Sequence, residues 1–312
     1  MSAADVERYV VRKPVYETLV PGAPAVRNRQ FPTMTFMSRD LVPEANYHLQ
    51  VGWITGLPEP NPGVYEHVHD YDEILIHWGG DYRTPQDLGA EIEFYIGGQP
   101  IRFNTTTAMF IPRGTPHGPV TWKDYRFPHL QLSLMLGTGS AEEAFGNSGM
   151  LEPKAELPKK REDYDYEQYV VRSPMRETGG VFTQGRQAPT MTYMSEIQVN
   201  AAKYYIEFGW IWGMVKPNIP EMRHERYDEI VLHVGGDPED PEDLGANMNF
   251  GLGGELLEFD RGYCMFIPRG TNHGPLRWNR VDKPHIEMAI MLGCGTFKEG
   301  WEDSFLGELR YD

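Results

Sequence analysis

Phe110-Ile111-Pro112-Arg113-Gly114-Thr115-Pro116-His117-Gly118-Pro119 returns, with one letter changed, as Phe266-Ile267-Pro268-Arg269-Gly270-Thr271-Asn272-His273-Gly274-Pro275. Such a match marks an internal repeat, and a repeat decides the architecture before any local pattern does. Working outward, Tyr71-Asp72-Glu73-Ile74 returns as Tyr227-Asp228-Glu229-Ile230, and Gly52-Trp53-Ile54 as Gly209-Trp210-Ile211. Pro32 to Ser38 returns as Pro189 to Ser195, and Tyr9-Val10-Val11-Arg12 as Tyr169-Val170-Val171-Arg172. From Tyr71 to Gly137 the offset stays at 156 residues without a gap. One copy is about the size of one domain. The expected organisation is a duplicated chain with domains at 1–150 and 151–312. Asn147 to Asp165, rich in Lys, Glu and Pro, reads as an exposed linker. Its run Lys159-Lys160-Arg161-Glu162-Asp163 reads as a solvated surface.

The 312 residues are 40% hydrophobic and 12% aromatic, which suits two folded domains with their own cores. With 33 Gly and 25 Pro, turns and short strands are favoured over long helices. A formal net charge of -16, without a basic stripe, argues against nucleic acid and anionic membranes as partners. No apolar run approaches the ~20 residues of a membrane span. Met1 to Arg8 lacks the basic and apolar regions of a signal peptide, so a cytoplasmic location is expected. Cys264 and Cys294 make no disulfide framework and read as small buried apolar residues.

Within each copy the pattern is strand and turn. Glu91 to Ile96 alternates, meets Gly97-Gly98, and continues in Ile101-Arg102-Phe103, which predicts a hairpin. His129 to Leu134 alternates with His129, Gln131 and Ser133 on one face, and His285 to Ile290 nearly repeats it. Helical periodicity is confined to a short stretch near Ala141 to Phe145. The expected fold class is all-β, each half an antiparallel double-sheet barrel of the jelly-roll kind.

Three imidazoles and a carboxylate stand in two patches of the first copy: His67, His69 and Glu73, then His117. Together they make a first shell for a divalent transition metal. On a strand, His67 and His69 face the same way, about 7 Å apart. Glu73 follows a short polar turn and folds back from the next strand. His117 follows Pro-x-Gly, a turn that swings in a fourth ligand.

These residues resemble the cupin superfamily, and the duplication makes the chain resemble a bicupin. The family's first motif is His-x-His, three or four residues, Glu, six residues, Gly, matched by His67, His69, Glu73 and Gly80. Its second is Gly, five residues, Pro-x-Gly-x-x-His, three residues, Asn. Pro112, Gly114 and His117 match it, with Thr106 in place of Gly and Thr121 in place of Asn. Asn61 stands where a Gly is usual before His67. The second copy keeps Glu229, Gly236, Gly262, Pro268, Gly270 and His273 but loses the His-x-His. His224 fits its second histidine, and Met222 or Arg223, depending on register, replaces the first. His224, Glu229 and His273 then form a second, weaker metal site, or the second barrel is a scaffold. The resemblance implies a metal-holding β-barrel and a broad range of chemistries, among which fold does not choose.

The remaining candidates carry less. His77 and His233 lie too far along their strands to join the metal and read as structural hydrogen-bonding residues. His129 and Gln131 are taken as catalytic contacts in the cavity, alongside Glu73, which doubles as ligand and base. His48 and Gln50 share a face in the same way. Tyr71 and Tyr227, and the pairs Trp53 with Trp210 and Trp122 with Trp278, read as packing residues. Arg113 and Arg269, beside the motif histidines, could clamp a carboxylate, although turn arginines more often face solvent.

Three histidines and one glutamate leave coordination positions open, as in catalytic sites. The metal is iron, manganese, zinc, nickel or copper, since the donor set suits them all. The first functional expectation is a metal-dependent enzyme on a small organic molecule, a dioxygenase ahead of a decarboxylase or lyase. The alternatives are a sugar isomerase and a non-catalytic small-molecule-binding or storage protein. Homo-oligomers are compatible with the exposed strand edges.

Overall fold

The computed structural model describes residues 3–18, 23–146, 148–152, 156, 159, 161–177, 183–302 and 304–306. Most of the expected linker between 153 and 160 lies outside them. Nearly every described element is a strand, and all strand pairs are antiparallel. The all-β, double-sheet reading stands.

The unit Val15–Ser173 is built on one long sheet. Its strands run in the order Val170–Val171, Thr107–Ile111, Asp72–Gly79, His129–Leu136, Tyr47–Glu59, Thr33–Met37 and Val15–Glu17. Arg27–Arg29 adds to Tyr47–Glu59 beside that path. A second sheet orders His117–Tyr125, Asp87–Ile96 and Gln99–Thr105. The last two form the expected hairpin, longer at both ends than its apolar run suggests. The short helix falls at Ala141–Phe145, with the Ser140 hydroxyl accepting from the Glu143 N–H at 3.2 Å.

The other unit repeats this plan with a three-stranded and an eight-stranded sheet. It comprises Met1–Pro14 and Pro174–Asp312, so the units differ from the expected 1–150 and 151–312. The reason is strand pairing. Val10–Val11 pairs with Met265 and Cys264, whereas Val170–Val171 pairs with Met109 and Ala108. Two-residue strands carry no periodicity, so their partners cannot be read locally.

Trp53, Trp210, Trp122 and Trp278 are buried, as are Cys264 and Cys294. Five histidines are buried away from the ligand patches: His48, His77, His129, His233 and His285. The Trp122 indole N–H donates to His129 Nε2 at 3.0 Å, and that of Trp278 to His285 Nε2 at 3.2 Å. His77 and His233 lie among aromatic rings, and neither ring nitrogen has a hydrogen-bond partner among the described residues. The expected hydrogen-bonding role is thus replaced by packing.

Burial pushes His129 down to about 3 and His285 to about 4, and His77 and His233 well below their ordinary value. A histidine depressed in the fold stabilises fully above its unfolded pKa of about 6.5. That stability is lost as pH falls toward the folded value, at up to about 1.4 kcal/mol per pH unit per histidine. Glu207, raised by burial to about 7, and Glu287, also raised, work in the opposite sense. The four histidines outnumber them, so chemical denaturation should show lower stability at pH 5 than at pH 7. A flat profile would refute neutral burial of these rings.

Candidate metal centre

His67 and His69 do not lie in a ladder strand, contrary to expectation. They occupy an extended segment held by one bridge: His67 N–H donates to His117 O at 2.8 Å, and His117 N–H to His67 O at 2.9 Å. Gly114 N–H donates to His69 O at 2.8 Å, which ties the Pro-x-Gly turn to the first motif. Glu73 begins the strand Asp72–Gly79, as the spacing predicts. The bridge therefore joins two segments far apart in sequence at the ligand positions.

One ring nitrogen each of His67, His69 and His117 lie within 4.8 Å of one another. The opposite nitrogens are committed. Nδ1 of His67 meets Tyr65 O at 2.9 Å, Nδ1 of His69 meets Tyr71 O at 2.9 Å, and Nδ1 of His117 meets Thr115 O at 2.8 Å. A carbonyl only accepts, so each Nδ1 carries the proton and each Nε2 presents a lone pair. Glu73 Oε2 stands 3.3 Å from His69 Nε2 and 3.4 Å from His117 Nε2. The Ser133 hydroxyl donates to Glu73 Oε1. His117 Nε2 is buried and has no hydrogen-bond partner among the described residues. Lone pairs converging without donors between them fit a divalent transition metal.

Burial, with His117 beside it, drives His67 down to about 3, so the ring is neutral and ready to ligate. Glu73 is held by the Ser133 hydroxyl on one oxygen and turns the other toward the Nε2 lone pairs of His69 and His117, the position of a ligand.

The second barrel repeats the arrangement with one donor fewer. Met222 bridges His273 as His67 bridges His117, which places Met222, not Arg223, at the lost histidine. One ligand atom each of His224, Glu229 and His273 lie within 4.8 Å of one another. Tyr227 OH donates to Gly300 O, so at 2.7 Å it accepts from His224 Nδ1. His273 Nδ1 donates to Thr271 O at 3.1 Å. His273 Nε2 and Glu229 Oε2 lie 3.1 Å apart, yet neither has a partner in hydrogen-bond geometry among the described residues. This trio also fits a divalent metal.

Gln131 and Gln50 line the first cavity together with His67, Glu73 and Ser133. His129 does not, because its ring is held by Trp122 near the end of the strand, and its expected contact with the cavity is corrected. Arg113 is turned away: its guanidinium pairs with Asp72 at 3.0 Å and is well exposed, and Arg269 pairs with Asp228 likewise. The cation that does line the cavity is Arg29, a residue that local sequence patterns did not single out. Its counterpart Arg186 stands at the same register position, opposite Ile211 as Arg29 is opposite Ile54. Their recurrence in the two copies was the available signal.

No family model and no curated protein matches the chain. Among solved structures it is similar to AerE from Microcystis aeruginosa, with 13% identity over 90% of this chain and 98% of that one, at a TM-score of 0.50. It is also similar to an oxalate decarboxylase variant from Bacillus subtilis, with 9% identity, 84% and 73% coverage and a TM-score of 0.51. Another structure of that enzyme, described for its Mn(II) centres, gives 10% identity, 88% and 79% coverage and a TM-score of 0.51. At these identities the likeness concerns the fold.

Proposed function

Because the chain has the bicupin fold, with a complete three-histidine, one-glutamate cluster in its first barrel, we propose that it is a metal-dependent enzyme acting on a small organic molecule. The observation that carries this reading is the fixed tautomer of all three histidines, which aims three lone pairs and Glu73 at one point. Four protein donors leave one or two positions of a five- or six-coordinate metal for substrate. A bound metal would supply a Lewis acid and, if redox-active, a means of using dioxygen. Ser133 fixes the Glu73 carboxylate, and Val64, Phe94 and Val120 give the cavity an apolar wall. Gln131 offers an amide to substrate.

Dioxygenase chemistry is the first form of this reading. A non-oxidative lyase or decarboxylase is the second, favoured by the fold likeness to oxalate decarboxylase. His224, Glu229 and His273 form a weaker second metal site, held by three donors rather than four.

The test is the metal content of the chain as purified, followed by substrate turnover with and without oxygen. Iron, manganese or copper with oxygen uptake supports the dioxygenase. Turnover without oxygen uptake supports the lyase. Protein that takes up no divalent metal on reconstitution sinks both.

A further inference from the structure

Arg29 is partly buried and lines the first cavity together with Gln131, Gln50, His67 and Glu73. Among the described residues it has no carboxylate partner, and burial alone lowers its pKa, to about 10, which leaves it charged at neutral pH. A partly buried guanidinium without a counter-ion is costly unless an anion completes it.

The second barrel shows the same position completed from within. Arg186 pairs with Glu287 at 2.9 Å, and both side chains are largely buried. Glu287 occupies the place of Gln131: Glu287 lies opposite Gly209 and His233, and Gln131 opposite Gly52 and His77. Glu207 likewise stands where the first barrel has Gln50. At these two positions the cavity that holds Arg29 has amides and the one that holds Arg186 has carboxyls. The side-chain oxygens of Gln50 and Gln131 are buried and have no hydrogen-bond partners among the described residues. Val64, Phe94, Val120 and Phe145 line the rest of the first cavity.

We propose that the first barrel binds a small carboxylic acid with an apolar body, its carboxylate against the Arg29 guanidinium and the Gln131 amide. The apolar body lies on the Phe94 and Phe145 side. The second barrel does not bind the same anion, because Glu287 already occupies Arg186. This rests on the reading of the first cavity as the substrate site and names the class of molecule it takes. A guanidinium fork matches a carboxylate bidentately, and such charge-assisted bonds are the strong ones.

Full-length protein, as purified and after chelator treatment, is titrated calorimetrically with benzoate and with its neutral analogue benzamide. Benzoate should bind both preparations, about tenfold or more tighter than benzamide. Arg29→Gln should weaken benzoate by a similar factor. Gln131→Glu should do the same by supplying an internal counter-ion, with the fold intact because the second barrel already holds that pair. Glu287→Gln combined with Glu207→Gln, which together free Arg186, should create an additional benzoate site. Equal affinity for benzoate and benzamide would overturn the proposal, as would unchanged benzoate affinity in both Arg29→Gln and Gln131→Glu. Benzoate lost on metal removal but insensitive to Arg29→Gln would place the carboxylate on the metal, and also overturns it. Metal content measured on the same samples separates the two claims. A chain that binds benzoate but no metal sinks the enzyme reading alone, and a metal-loaded chain blind to benzoate sinks this one alone.

Discussion

The His117→Ala chain is expected to come through purification with its first barrel stripped of metal while the fold persists. Among the described residues the buried His117 Nε2 has no hydrogen-bond partner, and its ring centroid lies 4.1 Å from that of His67. Removing it takes one of four donors and leaves the others unchanged in tautomer. Changes to outer-shell partners alone cost about 10–100-fold in metal affinity, and loss of a direct ligand should exceed that. The backbone bridge between His67 and His117 does not involve the side chain, so unfolding should not confound the result. Elemental analysis beside a His224→Ala control reads it: each variant should lose the metal of its own barrel only. Full occupancy of the first barrel in His117→Ala would remove the assigned site.

Gly118→Ala should damage both fold and site from a position that ligates nothing. Gly118 has φ +86°, and a Cβ there would lie 2.6 Å from the Tyr65 carbonyl oxygen. That oxygen accepts the His67 Nδ1 proton at 2.9 Å. The left-handed backbone costs an alanine about 1–2 kcal/mol, and displacing a backbone carbonyl adds to it, so about 3 kcal/mol in all is expected. In a unit of this size that lowers the melting temperature by roughly 6 °C or more. The shifted carbonyl should also loosen His67 and weaken the metal about tenfold. Gly114→Ala is the comparison: its φ is +73°, but an added Cβ meets nothing within 4 Å. It should show only the conformational cost, about 1 kcal/mol. Equal losses in the two variants would remove the packing argument.

Much of the architecture and the ligand set could be read in the chain. The Phe110 to Pro119 repeat marked the duplication, and His67, His69, Glu73 and His117 are brought together as their spacing implied. Those residues are chemically unusual and locally patterned. What escaped depends on tertiary neighbours. Arg113, adjacent to the motif, was the visible cation, yet Asp72 neutralises it at the surface. Arg29 reaches the cavity from a three-residue strand with no signature of its own. His129 shares a strand face with Gln131, but Trp122 holds its ring at the other end of the interior. Alternation assigns a face, whereas depth along the barrel is set by register. The exchange of Gln131 for Glu287 was present in the aligned copies, and its meaning appeared only once Arg186 was seen beside Glu287.

The pairing of the two-residue strands bears on the order in which the protein is made. Tyr9-Val10-Val11-Arg12 leaves the ribosome long before its partner edge, Tyr263–Ile267. Meanwhile the edge Thr107–Ile111 emerges, to be matched in the finished fold by the same four letters at Tyr169 to Arg172. Two equivalent segments therefore meet one edge in the nascent chain, the setting in which strand exchange and misassembly arise. Closing from Val171 back to Ala108 spans a shorter loop than closing from Ala108 back to Val11, and the shorter loop loses less entropy. Chain length between equivalent strands thus biases which copy caps the first barrel, and leaves Val10–Val11 to cap the second.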